Sequence, residues 1–370
     1  MFGRSALLAV VLLINLPFAA PLRADPKTSG TFRIATYNVE LSRKGPGLLL
    51  GDFLKGDDPQ IEAVVAVIAK GAPDVLHLTG FDMDEEQHAL RALRDALTNA
   101  GAHYPHVFAP MPNAGMPSGE DLDGNGRLGE ARDSQGYGAF SGQGGMAILS
   151  KYPIKSAHNY SSFLWRDLVD NIAPGTPDHP FPSFAARAIQ RLSSVGHWAV
   201  PIQLAPDKQI TILAWHASPP VFDGEEDLNG RRSHDEALFW LRLLDGQTPF
   251  EPPKGPFVLT GLANIDPTDG DGRHEAINAL LHDPRFQDPG PLSAGGLEAA
   301  NTTHQGNPAL DTADFTDPTP GNLRVDYVLP DAALAVRDAG VFWPARGHPM
   351  SEVAARASRH RLVWVDVTLP

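Results

Sequence analysis

Along the chain, short runs of alternating apolar and polar residues trade places with longer stretches at helical spacing. Phe32-Arg33-Ile34-Ala35-Thr36-Tyr37-Asn38-Val39 alternates as a half-buried strand does, and it ends at Asn38 and Glu40. After a glycine-rich turn, Pro59–Lys70 carries Ile61, Val64, Val65, Val67 and Ile68 at the spacing of an amphipathic helix. Asp74–Leu78 reads as a short buried strand. Asp84–Ala100 predicts a second helix with Leu90, Leu93 and Leu97 on one face. Further strands are predicted at Gly145–Ser150, Trp198–Leu204, Ile210–Trp215, Phe257–Thr260, Arg324–Leu329 and Arg361–Val367. Helices are predicted at Asp235–Leu244 and Glu275–Leu281. Strands that interleave with helices and long polar loops imply an α/β protein of two packed sheets covered by helices. Neither a short-period repeat nor a linker divides the chain, so one domain is expected.

Composition narrows this picture. With 370 residues, 42% of them hydrophobic, the chain can bury a large core. Met1–Ala24 has the form of a secretory signal: Arg4 in front, an apolar run from Ala6 to Phe18, then small residues. A signal at 1–24 leaves a mature domain at 25–370, secreted or periplasmic and free of the membrane after cleavage; the competing reading is an N-terminal anchor. The sequence has no cysteine, which excludes disulfides and a lipid-modified cysteine. Removing residues 1–24 deletes Arg4 and Arg23 and no acid, so the net charge goes from −14 to −16. A field of that sign opposes non-specific nucleic-acid binding, while a local cationic pocket stays possible.

Polar residues end the predicted strands in a telling order. Asn38 and Glu40 close the first. Gly144-Gly145-Met146-Ala147-Ile148-Leu149-Ser150-Lys151-Tyr152-Pro153-Ile154 forms a central strand, His216 ends another, and Asn264 follows the Phe257–Thr260 strand. Asp326 lies in Arg324-Val325-Asp326-Tyr327-Val328-Leu329, and His360 stands where the chain enters the last strand. Together, over residues 32–367, these resemble the endonuclease/exonuclease/phosphatase superfamily, the deoxyribonuclease I-like fold. The resemblance implies a four-layer α/β sandwich, two mixed sheets flanked by helices. It also implies metal-dependent phosphodiester hydrolysis, with a divalent ion on carboxylates and a histidine at the scissile phosphate.

Three positions depart from the family pattern. Gly80 stands where the family has its metal-binding Glu, Leu262 where it has the Asp before Asn264, and Arg359 where it has the Asp before the terminal His. Three carboxylates are gone and a guanidinium has arrived, a change of about four charge units. One reading is a pseudoenzyme: a metal-free cleft in which Arg359 pairs with Asp326 or offers its fork to an anion. In it Asn38, Glu40, His216, Asn264, Asp326 and His360 persist as a remnant set able to receive a phosphoester, another anion or a partner. The other is an active phosphodiesterase in which Glu40, Asp326 and a shifted acid (Asp82, Asp84 or Asp266) hold Mg²⁺ or Mn²⁺. A two-residue shift along a strand moves a ligand by roughly 6–7 Å. Taken singly, Asn38 and Asn264 could equally cap turns, His216 could be a core histidine, and Asp326 could pair with Arg324.

Asp121-Leu122-Asp123-Gly124-Asn125-Gly126-Arg127 matches the first half of a calcium loop, with Asp121, Asp123 and Asn125 as candidate ligands for Ca²⁺. The bidentate Glu expected later in such a loop is Arg132 here, leaving Glu130 or Asp133 to serve from another geometry. An acidic surface turn fits the same residues.

Overall fold

The computed structural model describes residues 30–369, so the segment read as a signal lies outside the described residues. In chain order the elements are β1 (Phe32–Leu41), α1 (Leu48–Lys55), α2 (Pro59–Gly71), β2 (Val75–Phe81), α3 (His88–Asn99), β3 (His106–Phe108), β4 (Gly145–Ser150) and β5 (His158–Asn159). There follow α4 (Phe184–Ile189), β6 (Gly196–Ala205), β7 (Lys208–His216), α5 (Leu228–Leu244), β8 (Phe257–Leu262) and α6 (His274–His282). Finally come α7 (Ala294–Glu298), β9 (Asp326–Pro330), β10 (Ala335–Val341), α8 (Ser351–Ala357) and β11 (Val363–Thr368).

The strands form two sheets, one six-stranded in the order β10-β11-β1-β2-β4-β3 and one five-stranded in the order β5-β6-β7-β8-β9. Both are mixed: β1–β2 and β7–β8 pair parallel, their neighbours antiparallel. This is the expected four-layer sandwich. Strand alternation builds the layers, because successive side chains point to opposite faces. From β1, Ala35, Tyr37, Val39 and Leu41 pack outward against α1, α2, α3 and α8. Leu213, Trp215, Leu259, Tyr327 and Leu329 pack outward on the other sheet, against α5 and α6. Ile34, Val75, Ile148, Ile212, Val258, Val328 and Val365 fill the space between the sheets.

The inner face of each central strand passes from apolar in its middle to polar at one end. Ile34 gives way to Thr36 and Asn38, Val75 to His77 and Thr79, Ile212 and Ala214 to His216. Register aligns these ends, since His216 pairs with Leu262 and Leu262 with Asp326 across β7, β8 and β9. A hydrogen-bond contact of 3.2 Å between His77 Nδ1 and Thr260 Oγ1 ties the two sheets beneath that end. The polar strand ends of both sheets therefore converge on one cleft.

Some elements differ from the sequence reading. The supposed glycine turn contains α1, bounded by left-handed Gly47 and Gly56. Asp84 lies ahead of α3, its carboxylate accepting the His88 and Ala89 amides at 2.7 and 2.9 Å. The α5 helix begins at Leu228 rather than Asp235, because its first half buries Arg232, Asp235 and Glu236 instead of apolar residues. Glu236 there accepts the Ser194 and Ser218 amides at 2.6 and 2.7 Å. Burial pushes its carboxyl above the usual range, while Arg232 and these amides pull it back.

Candidate functional site

Asn38 and Glu40 leave β1 through a break in its pairing with β2, and Glu40 has a left-handed φ of 48°. The turn is fixed by Asn38, whose Oδ1 accepts the Glu40 amide at 3.1 Å. Gly80, next to it on β2, is also left-handed at φ 68°, and a Cβ built there would overlap Asn38 Oδ1. Asn38 thus occupies the space into which a side chain at position 80 would start.

Glu40 points across to the entry of β11. Its Oε1 accepts from Arg359 Nε at 2.9 Å and Nη2 at 2.5 Å, and its Oε2 from the Arg359 amide at 2.7 Å. Ser358 Oγ lies 3.1 Å from the same Oε2 and 2.8 Å from the Asn38 carbonyl oxygen. Burial alone would raise the Glu40 carboxyl; the Arg359 hydrogen bonds and the His360 charge together hold it below its ordinary value. The expected Arg359–Asp326 pair is therefore corrected: Arg359 pairs with Glu40. Proximity explains the choice, because Asp326 belongs to His360.

Asp326 is buried, and its Oδ2 lies 2.8 Å from His360 Nδ1. Thr312 Oγ1 donates to the same oxygen at 3.0 Å and accepts the Val325 and Asp326 amides. Asp326 Oδ1 and His216 Nδ1 are buried with no hydrogen-bond partner. Burial, reinforced by His360, pushes the His216 imidazole down to about 3; burial, reinforced by His216, does the same to His77. Both are neutral at physiological pH. Asn264, at φ 57°, donates to the Ala217 carbonyl at 2.8 Å and so fastens the loop leaving β7 beside β8.

Leu262 sits between His216 and Asp326 and packs with Ala313, Leu323 and Val325, joined by half-buried Phe315. The Phe315 ring meets His360 edge-on at 5.4 Å between centroids and lies 5.4 Å from the Arg359 guanidinium. An apolar plug stands where the pattern called for a carboxylate.

The residues singled out in the sequence, Asn38, Glu40, His216, Asn264, Asp326 and His360, are thus gathered at one end of the sandwich. The acids named as substitute ligands are committed elsewhere. Asp82 accepts the Arg43 and Gly144 amides at 2.7 and 2.9 Å, Asp84 caps α3, and Asp266 accepts the Thr268, Asp269 and Arg324 amides at 2.7, 2.8 and 2.7 Å. Sequence reasoning missed Thr312, Ser358 and Phe315. Thr312 and Phe315 sit in irregular loop, where no periodicity marks them; Ser358, a side-chain donor directly before Arg359, could have been flagged as a cap.

Away from the cleft, Asp121, Asp123 and Asp133 bring carboxylate oxygens within 4.8 Å of one another. Asp133, one of the two alternatives in the sequence, joins the group. Asn125 instead bonds Asp123 and Glu130 through Nδ2, at 3.1 and 2.7 Å. Mutual repulsion contributes to a raised Asp123 carboxyl, after burial.

A family model described as "Endonuclease/Exonuclease/phosphatase family" matches residues 35–360. The chain belongs to that family, and its fold is that of a hydrolase. Among solved structures it is similar to an endonuclease/exonuclease/phosphatase from Beutenbergia cavernae DSM 12333, at 19% identity and TM-score 0.54, covering 92% of this chain and 72% of that one. It is similar too to the human Nocturnin catalytic domain with bound sulfate anion, at 15% identity and TM-score 0.50, covering 92% and 94% of the two chains. A third, the endonuclease/exonuclease/phosphatase from Bacteroides vulgatus, matches at 13% identity and TM-score 0.50, covering 92% and 99%. At these identities the likeness concerns the fold. No curated protein matches the chain.

Proposed function

We propose that this chain is a catalytically impaired member of its family, a pseudoenzyme whose cleft keeps anion-binding donors without metal-dependent hydrolysis. The observation that carries the reading is the Glu40–Arg359 pair: the one cleft carboxylate at the exit of β1 is already held by a cation. A divalent ion there would face Arg359, and two like unit charges about 4 Å apart cost roughly 4 kcal/mol at an effective dielectric near 20. Gly80 and Leu262 supply no side-chain oxygen to offset that, and Asp82, Asp84 and Asp266 are each oriented by amides they accept from. The residues present do not fit the family's metal. The donors that support anion binding are Arg359, with 63% of its side chain exposed, and His360, whose Nδ1 bond to Asp326 leaves Nε2 for a ligand. The reading of an active phosphodiesterase with shifted ligands is less well supported: Asp326 Oδ1 and His216 Nδ1 stand unpartnered in the cleft, but Asp82, Asp84 and Asp266 are each held by amides.

The test assays the purified protein on an aryl phosphodiester and on DNA with Mg²⁺, Mn²⁺, Ca²⁺ or chelator, beside His360→Ala. Turnover indistinguishable from the variant in every metal is expected. Metal-dependent turnover that His360→Ala abolishes would overturn the proposal.

Two further expectations belong to the same reading. Its compartment, secreted or periplasmic, rests on the Met1–Ala24 pattern. A Ca²⁺ ion on Asp121, Asp123 and Asp133 would relieve their mutual repulsion and order the loop. Millimolar Ca²⁺ would then raise the melting temperature relative to chelator in wild type and not in Asp121→Asn; equal melting in both would remove the ion from the account.

A further inference from the structure

A cavity of about 420 Å³ lies outside the cleft, between the loop that follows β5 and helix α4. None of the cleft residues lines it. That volume is within the range of small-molecule sites.

Two guanidinium groups face it, Arg166 and Arg187. Arg187 is half-buried, and its hydrogen bond is to a neutral oxygen, Asn171 Oδ1 at 2.6 Å. Asn171 is held for this task, since its Nδ2 donates to the Leu168 carbonyl at 2.9 Å. A guanidinium carries five N–H donors, and this one leaves most of its fork to the cavity. Burial lowers the Arg187 pKa and the nearby charge of Asp235 raises it. Asp235, however, is spent on Trp165 Nε1, the Ile172 amide and His234 at 2.6, 2.9 and 2.8 Å. Arg166 meets Asp167 only at 3.6 Å, with both side chains about half exposed. Pro174, Pro177, Pro180 and the exposed Phe184 side chain supply apolar wall, with Asn171 and Thr176 as polar neighbours. Both charged side chains in the lining are arginines, in a chain of net charge −14.

We infer that this cavity binds a small organic oxyanion, a carboxylate or phosphate monoester carried on a flat apolar body. The Arg187 and Arg166 forks take the oxygens, and Phe184 with the prolines takes the body. The site is independent of the cleft and of whether the cleft hydrolyses anything.

Isothermal titration of the full protein with benzoate and with phenyl phosphate tests this, with inorganic phosphate and benzyl alcohol as half-ligands. Saturable binding of at least one of the two aryl oxyanions is expected, with each half-ligand at least tenfold weaker. Arg187→Gln is expected to weaken binding about tenfold or more, as loss of a charged hydrogen bond does, and Phe184→Ala to weaken it while sparing inorganic phosphate. Because Arg187 also braces Asn171, the exposed Arg166→Gln supplies a second variant that leaves that bond alone and should weaken binding too. The titrations are repeated in an Arg359→Ala background, which removes the cleft's own anion donor, so that the saturable binding that remains is read from the cavity alone. No saturation up to about 10 mM in the Arg359→Ala background, or affinity there that survives both Arg187→Gln and Arg166→Gln, would each overturn the assignment.

Discussion

Replacing Gly80 with Glu restores the carboxylate that the family pattern calls for, and the structure makes that change costly. Gly80 sits at φ 68°, where an L side chain costs roughly 1–2 kcal/mol. A Cβ there also overlaps Asn38 Oδ1, the atom that accepts the Glu40 amide and fixes the turn out of β1. Moving Asn38 aside forfeits a hydrogen bond worth about 1 kcal/mol. The sum is roughly 2–3 kcal/mol. With unfolding entropy near 2.1 cal/mol/K per residue, the roughly 340 described residues lose about 3–4 °C of melting temperature. The Cβ is the offending atom, so Gly80→Ala should show most of the loss and Gly80→Glu little more. Urea and thermal unfolding of both variants, without metal, measure it. If Gly80→Ala unfolds within about 0.5 kcal/mol of wild type, the account of Asn38 as occupant of that space is wrong.

Three other substitutions probe the site and its frame. Glu40 titrates below its ordinary 4.5, so it adds stability that is present above that pH and lost as pH falls through the lower folded value. Arg359→Ala should flatten that acid limb in pH-dependent unfolding, and an unchanged limb would sever Glu40 from Arg359. Asp311 behaves oppositely: burial, then the charges of Asp266 and Asp269, push its carboxyl from 3.8 up to about 7. A raised carboxyl costs stability progressively as pH climbs from about 4 through 7, so Asp311→Asn should match wild type near pH 4 and exceed it by roughly 1–4 kcal/mol at pH 8. Arg33 meets Asp366 in a buried bidentate pair at 2.7 Å twice, joining β1 to β11. Asp366→Ala strands that charge, and chemical unfolding should register a loss of about 3–5 kcal/mol.

The sandwich was legible because β1 and β7 turn polar in steps of two along one face, while β4 and β8 read as short apolar runs bounded by loops. Ile34, Thr36 and Asn38 share one face of β1, and the same rule carries Ile212 and Ala214 to His216. Where that rhythm failed, so did the reading. The first half of α5 hides behind Arg232, Asp235 and Glu236, polar residues buried because backbone amides and carbonyls of neighbouring loops meet them. The remnant cleft residues were legible as strand ends, yet their partners were not. Nothing local distinguishes Arg359 bound to Glu40 from Arg359 bound to Asp326, since the choice depends on Thr312 and His360 holding Asp326 first. Loops from distant parts of the chain supply those contacts, and loop geometry leaves no periodic trace.

The plug around Leu262 has a consequence for any attempt to install a metal site. Leu262, Ala313, Leu323, Val325 and Phe315 form a small core of their own, so position 262 is ground for packing. Asp at 262 would bury a charge among apolar neighbours, Glu at 80 would evict Asn38, and Asp at 359 would set two carboxylates against each other. Each such carboxylate costs stability alone, and no single one assembles a metal site. Packing and backbone around the three positions act as a lock that no single substitution opens.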